Sequence, residues 1–162
     1  EFSSYSLTNA IEELATFYLN WHKPQQAQQV LQSYLAQPNQ LGDYNNARLT
    51  NLLGWSYLAQ NQLTLADEAF EKALTFRNPN EASLPMSYLL DLAYVKLQTG
   101  DIAVLEPQLE SIKNYDYIGE HRRYLQDELA QASANHPARS HLTVKRWQAH
   151  LEVLEYVLSE PE

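Results

Sequence analysis

Leu52-Leu53-Gly54-Trp55-Ser56-Tyr57, followed by Ala66, Phe70, Ala73 and Pro79, is the stretch on which the reading of the fold turns. Sliding the chain along itself by 39 residues sets Leu14-Ala15 and Leu92-Ala93 against Leu53-Gly54. Tyr18, Ala27, Leu31 and Tyr34, with Pro38 close behind, then follow in the first copy. Lys96, Leu105, Leu109 and Ile112 take the same places in the third. A whole pattern that recurs twice at one interval marks an internal repeat.

Each unit reads as two antiparallel helices. A small residue on the first (Ala15, Gly54, Ala93) admits a close neighbour, and Ala27 or Ala66 on the second returns the space. Leu31, Phe70 and Leu109 are placed to fill the gap between hairpins. The turns inside the units fall at His22-Lys23-Pro24, Asn61-Gln62 and Thr99-Gly100-Asp101, with Pro24 suited to the first turn of a helix. Breakers between units fall at residues 38–43 and 78–80. Helices are expected near 6–21, 24–36, 43–60, 64–76, 83–98 and 102–114, and no stretch alternates like a strand. Beyond them, Arg122–Ala132, with Leu125 and Leu129 inward, and residues 139–158 read as one more pair, broken at Asn135-His136-Pro137.

Leu53-Gly54, Tyr57, Ala66, Phe70, Ala73 and Pro79 together resemble the tetratricopeptide repeat. Thr50 stands where that motif has its early Trp, and the interval of 39 exceeds the family's period of about 34. The resemblance covers roughly residues 8–115. It implies an all-α, antiparallel helix-hairpin solenoid with repeats at about 8–41, 47–80 and 86–115. Residues 116–158 would cap it, in one domain spanning 1–162. It also implies a peptide-binding concave face.

Helical spacing puts Arg48, Asn51, Leu52, Trp55, Leu58 and Ala59 on one face, and Ser87, Leu90, Asp91, Tyr94, Leu97 and Gln98 on its counterpart. Members of the family that hold a terminal carboxylate do so with Lys, Asn and Arg on this surface. Here Glu12, Thr16, Leu52, Ser87 and Asp91 stand in the matching places, so a carboxylate clamp is not expected. The candidate partner-binding residues are Arg48, Asn51, Trp55, Leu58, Leu90, Tyr94 and Leu97. Such a face suits a hydrophobic or amphipathic segment carrying Lys or Arg at one end. The competing reading buries Trp55, Leu58, Tyr94 and Leu97 as core.

Composition narrows the function. At 162 residues with 44% hydrophobic residues the chain can bury a core without staples, and it has no cysteine to make a disulfide or a thiolate site. A net charge of −9 argues against nucleic acid as the partner. No apolar run approaches the length of a membrane span. His22, His121, His136, His141 and His150 show no i, i+4 metal spacing and read as surface residues. No phosphate loop, nucleophile elbow or calcium loop is present, so neither a catalytic residue, a metal nor a cofactor is expected. The start, Glu1-Phe2-Ser3-Ser4, reads as that of a mature or excised fragment. The leading expectation is an adaptor or chaperone-like scaffold for a protein or peptide partner. The alternative is an oligomerisation or sensory domain without a groove.

Overall fold

The computed structural model describes residues 4–37, 42–76, 86–135 and 140–159. These are all-α, and no strand occurs among them. The helices are α1 (Ser4–Asn20), α2 (Pro24–Leu35), α3 (Gly42–Leu58), α4 (Leu63–Thr75), α5 (Met86–Thr99), α6 (Glu106–Lys113), α7 (Ile118–Asn135) and α8 (His141–Leu158). Pro24 opens α2 at a position that needs no N–H donor. The helix expected from 102 is split, with residues 102–105 forming a 3₁₀ turn ahead of α6. Pro107 has no N–H to give the Ala103 carbonyl, so an α-helix cannot run through that step. The expected breakers at 38–41, 78–80 and 136–137, and the start of the fifth helix at 83–85, lie outside the described residues.

The sequence period reappears in the backbone. His22, Asn61 and Gly100, each 39 residues from the next, adopt positive φ of 56°, 57° and 83°. Next to them, Lys23 N–H bonds Tyr18 O at 2.8 Å, Gln62 N–H bonds Tyr57 O at 2.9 Å, and Asp101 N–H bonds Lys96 O at 2.8 Å. This six-to-one bond beside a left-handed residue is the Schellman ending, which satisfies a carbonyl the helix leaves open and turns the chain sharply. Three hairpins therefore turn in the same way at the same register.

Burial follows the same period. Ala15, Gly54 and Ala93 are buried, as are Ala27, Ala66 and Leu105, then Leu31, Phe70 and Leu109, then Tyr34, Ala73 and Ile112. The chain divides into two compact units, residues 1–88 and 89–162. In the first, α1 packs on α2, α2 on α3 and α3 on α4, with α1 also against α3. At Gly54 the absence of a side chain lets α4 lie close against α3. A Cβ built there would lie 2.5 Å from Phe70 Cε1, so the ring of Phe70, rather than the small side chain of Ala66, sets the approach. Phe70 is fully buried and meets Trp55 edge-on at 5.8 Å.

In the second unit α7 and α8 pack together and α6 touches α8. The Ser140 side chain caps α8 by accepting from Thr143 N–H at 3.2 Å, satisfying one of the open donors of its first turn. Leu125 of α7 and Val153 and Leu154 of α8 are buried, while Leu129 is half-buried.

Candidate functional site

The seven residues expected on the inner face have separate fates. Asn51, Trp55 and Leu90 are buried, and Arg48, Leu58, Tyr94 and Leu97 are half-buried. Trp55 is only 5% exposed. Its indole lies against Phe70, and its Nε1–H meets no acceptor. The reading of Trp55 as an open-groove indole is corrected on that ground: the face of α3 that carries it lies inside the hairpin core. Arg48 is engaged as well. Its guanidinium pairs with Glu12, donates to Asn9 Oδ1 at 3.1 Å and stacks over the Tyr44 ring at 5.3 Å. It ties α3 to α1, and residues 9 and 48 are themselves one repeat interval apart.

In the second unit, Asp91, placed by helical spacing on the inner face, is fully buried. Arg146 and His150 stand one turn apart on α8, so both reach it. Arg146 donates from Nε to Oδ1 at 3.1 Å and from Nη2 to Oδ2 at 2.6 Å, a two-point fork. His150 Nε2 lies 2.6 Å from Oδ1. Burial alone would raise this carboxyl's pKa. The His150 hydrogen bond and the charges of Arg146 and His150 outweigh it and lower the pKa from 3.8 to about 2. His150 thus departs from the expectation of surface histidines: it is a buried partner of a carboxylate. His121 of α7 is held below the ordinary histidine range by burial and by the charge of His150. Tyr94 is pushed up by burial and by Glu152. No group of three or more His, Asp or Glu that could hold a metal ion occurs among the described residues.

Among the exposed apolar side chains of the described residues, those of α1 fall in register on one face. Leu7, Leu14 and Phe17 on α1, and Trp21 immediately after it, are 46%, 39%, 51% and 65% exposed. Ala10 is exposed between them. Trp21 N–H still bonds Phe17 O at 3.1 Å, so the helical path reaches it. The Phe17 ring meets those of Tyr18 and Trp21 at 5.9 Å each. Positions 7, 10, 14, 17 and 21 alternate steps of three and four, the a/d spacing of a coiled-coil seam. With Leu7, Leu14 and Trp21 at a, the flanking g positions are Glu13 and Asn20 and the e positions Ile11 and Tyr18. The charged side chains of α1 are Glu12 and Glu13, both acidic. Sequence reasoning missed this seam although its spacing was in view, because α1 is also apolar on its opposite, buried face at Ala15 and Leu19.

Compared with protein families, curated proteins and solved structures, the chain matches none. No helix among the described residues is long and apolar enough to cross a membrane.

Proposed function

We propose that the protein is an interaction scaffold of tetratricopeptide-like hairpins stacked as a solenoid, and that it binds an amphipathic helix of a protein partner rather than catalysing a reaction. The observation that carries this reading is the exposed seam Leu7, Leu14, Phe17 and Trp21. Large apolar side chains aligned on one helix face leave a contact area that a second helix of matching period buries. Aromatic anchors such as Phe17 and Trp21 supply most of the binding energy in interfaces of this kind. The partner chemistry stays that expected from the sequence, apolar with Lys or Arg, while its place moves from the inner faces of α3 and α5 to the outer face of α1. Glu13, at a g position, favours Lys or Arg on a partner helix and disfavours antiparallel pairing with a second copy, which would bring it near its own image, while Glu12 is already paired with Arg48.

The test is fluorescence anisotropy with a labelled 21-residue peptide bearing Leu at a and d and Lys at e and g. It should bind the wild type saturably, and the double variant Leu14→Ser, Phe17→Ser should bind at least tenfold more weakly at unchanged melting temperature. Equal binding by the two would overturn the proposal. Sedimentation over a dilution series reads the competing outcome, in which the seam is closed by a second copy and the chain serves as an oligomerisation domain.

A further inference from the structure

A cavity of about 470 Å³ opens between α2, α3 and α4 of the first unit. Its size falls within the range of small-molecule sites. Leu35, Leu53, Leu65 and Phe76 supply apolar wall. Asn46 and Thr50 also line it, and they are only 8% and 3% exposed. Neither side chain has a hydrogen-bond partner among the described residues, and neither has its polar atoms sealed from solvent, so an amide and a hydroxyl meet the water of the cavity with their bonding capacity unspent. Tyr57, on the same wall, accepts from Gln32 Nε2 at 2.8 Å and keeps its own hydroxyl proton to donate. Sequence explains the space. Thr50 stands one repeat interval from Ile11 and from Leu89, and a threonine fills less volume than either.

We infer that this cavity is a binding site for a neutral ligand that joins an amide group to an apolar body, the amide meeting Asn46 and Thr50 and the body lying over Leu53, Leu65 and Phe76. An amide both donates and accepts, which matches the donor and acceptor capacity of Asn46 and Thr50. The ligand is uncharged because the buried polar groups are neutral. The charges at the edge, Glu68 and Lys72, are exposed, opposite in sign and one helical turn apart, so neither sign of ligand is favoured. A carboxylate placed against Asn46 and Thr50 would lose its hydration without meeting a cation. The site shares no residue with the α1 seam and does not depend on it.

The experiment uses the full chain, ¹⁵N-labelled, titrated with N-acetyl-L-tryptophanamide and, in parallel, with the carboxylate N-acetyl-L-tryptophan. The amide should shift the backbone signals of residues 46–57 and 65–76 saturably, and the carboxylate should bind at least tenfold more weakly. Thr50→Val is isosteric and Asn46→Leu keeps the branched skeleton, and each should weaken the amide at least fivefold. Thr50→Trp, which fills the cavity from within, should abolish binding, with melting curves confirming that each variant is folded. A capped Ala-Trp-Ala peptide separates the sources of the amide: tighter binding than the single residue assigns a peptide segment, weaker binding a free small molecule. Equal binding of amide and carboxylate, wild-type affinity in both Asn46→Leu and Thr50→Val, or no saturable shift at millimolar ligand would each overturn the inference.

Discussion

Replacing Gly54 with alanine tests the packing of the central hairpin, because two well-understood effects oppose each other there. In the interior of a helix, alanine is favoured over glycine by about 1 kcal/mol. Against this, the new Cβ would sit 2.5 and 2.6 Å from two ring carbons of Phe70, where ordinary contact begins at 3.4 Å. The ring must retreat by roughly 1 Å, and it has no room to do so. Phe70 is fully buried, with Trp55 edge-on against it. Overpacking costs about 1–3 kcal/mol, and contacts this far inside 3.0 Å fall in its upper part, about 2–3 kcal/mol, so steric strain exceeds the gain and the net loss is about 1–2 kcal/mol. For a chain of this size that is a fall of about 2–8 °C in melting temperature. The assay is thermal and urea unfolding followed by far-UV circular dichroism. Gly119→Ala is the control, since a Cβ there meets nothing within 4 Å and should be neutral or mildly stabilising. In a Phe70→Leu background the sign should reverse and Gly54→Ala should stabilise. A Gly54→Ala protein as stable as wild type would refute the packing.

Two more substitutions probe the buried groups. Trp55→Ala should cost about 3–5 kcal/mol as a core truncation, read by urea unfolding, whereas a melting temperature unchanged from wild type would return Trp55 to an open face. Asp91→Asn should cost about 3 kcal/mol at pH 7 by leaving Arg146 and His150 without their carboxylate. Because the folded pKa of Asp91 is depressed from 3.8 to about 2, its contribution is present in full above pH 4 and is lost as pH falls towards 2. The stability gap between wild type and Asp91→Asn should therefore narrow by about 2 kcal/mol across that window, and a gap constant from pH 7 to pH 2.5 would contradict the ionised state.

What the sequence made legible was local and periodic. The interval of 39 set Ala15, Gly54 and Ala93 on the packing side and His22, Asn61 and Gly100 in the turns, because both features depend on residues within a few positions of each other. Helix ends followed at Pro24 and at the three Schellman turns, and failed at 102–105, where Pro107 leaves the Ala103 carbonyl without its α-helical donor. Non-local features were not legible. The Asp91–Arg146–His150 cluster joins residues 55 and 59 positions apart, and nothing in helical spacing pairs α5 with α8. Nor can spacing decide which of two apolar faces another helix covers. That is why helical spacing alone puts Trp55 on an open face and gives no priority to Phe17 and Trp21. The cavity between α2, α3 and α4 is likewise a property of three packed helices.

The scaffold reading stands or falls on whether the α1 seam receives a helix, and Trp21 is its natural reporter at 65% exposure. The decisive measurement is the indole N–H resonance of Trp21, assigned with Trp21→Phe, during titration with the Lys-flanked heptad peptide and with its Glu-flanked counterpart. The account predicts a saturable shift and loss of solvent exchange at Trp21 with the Lys peptide, and at least tenfold weaker binding of the Glu peptide. An unmoved Trp21 signal while the peptide binds elsewhere, or equal responses to both peptides, would contradict it.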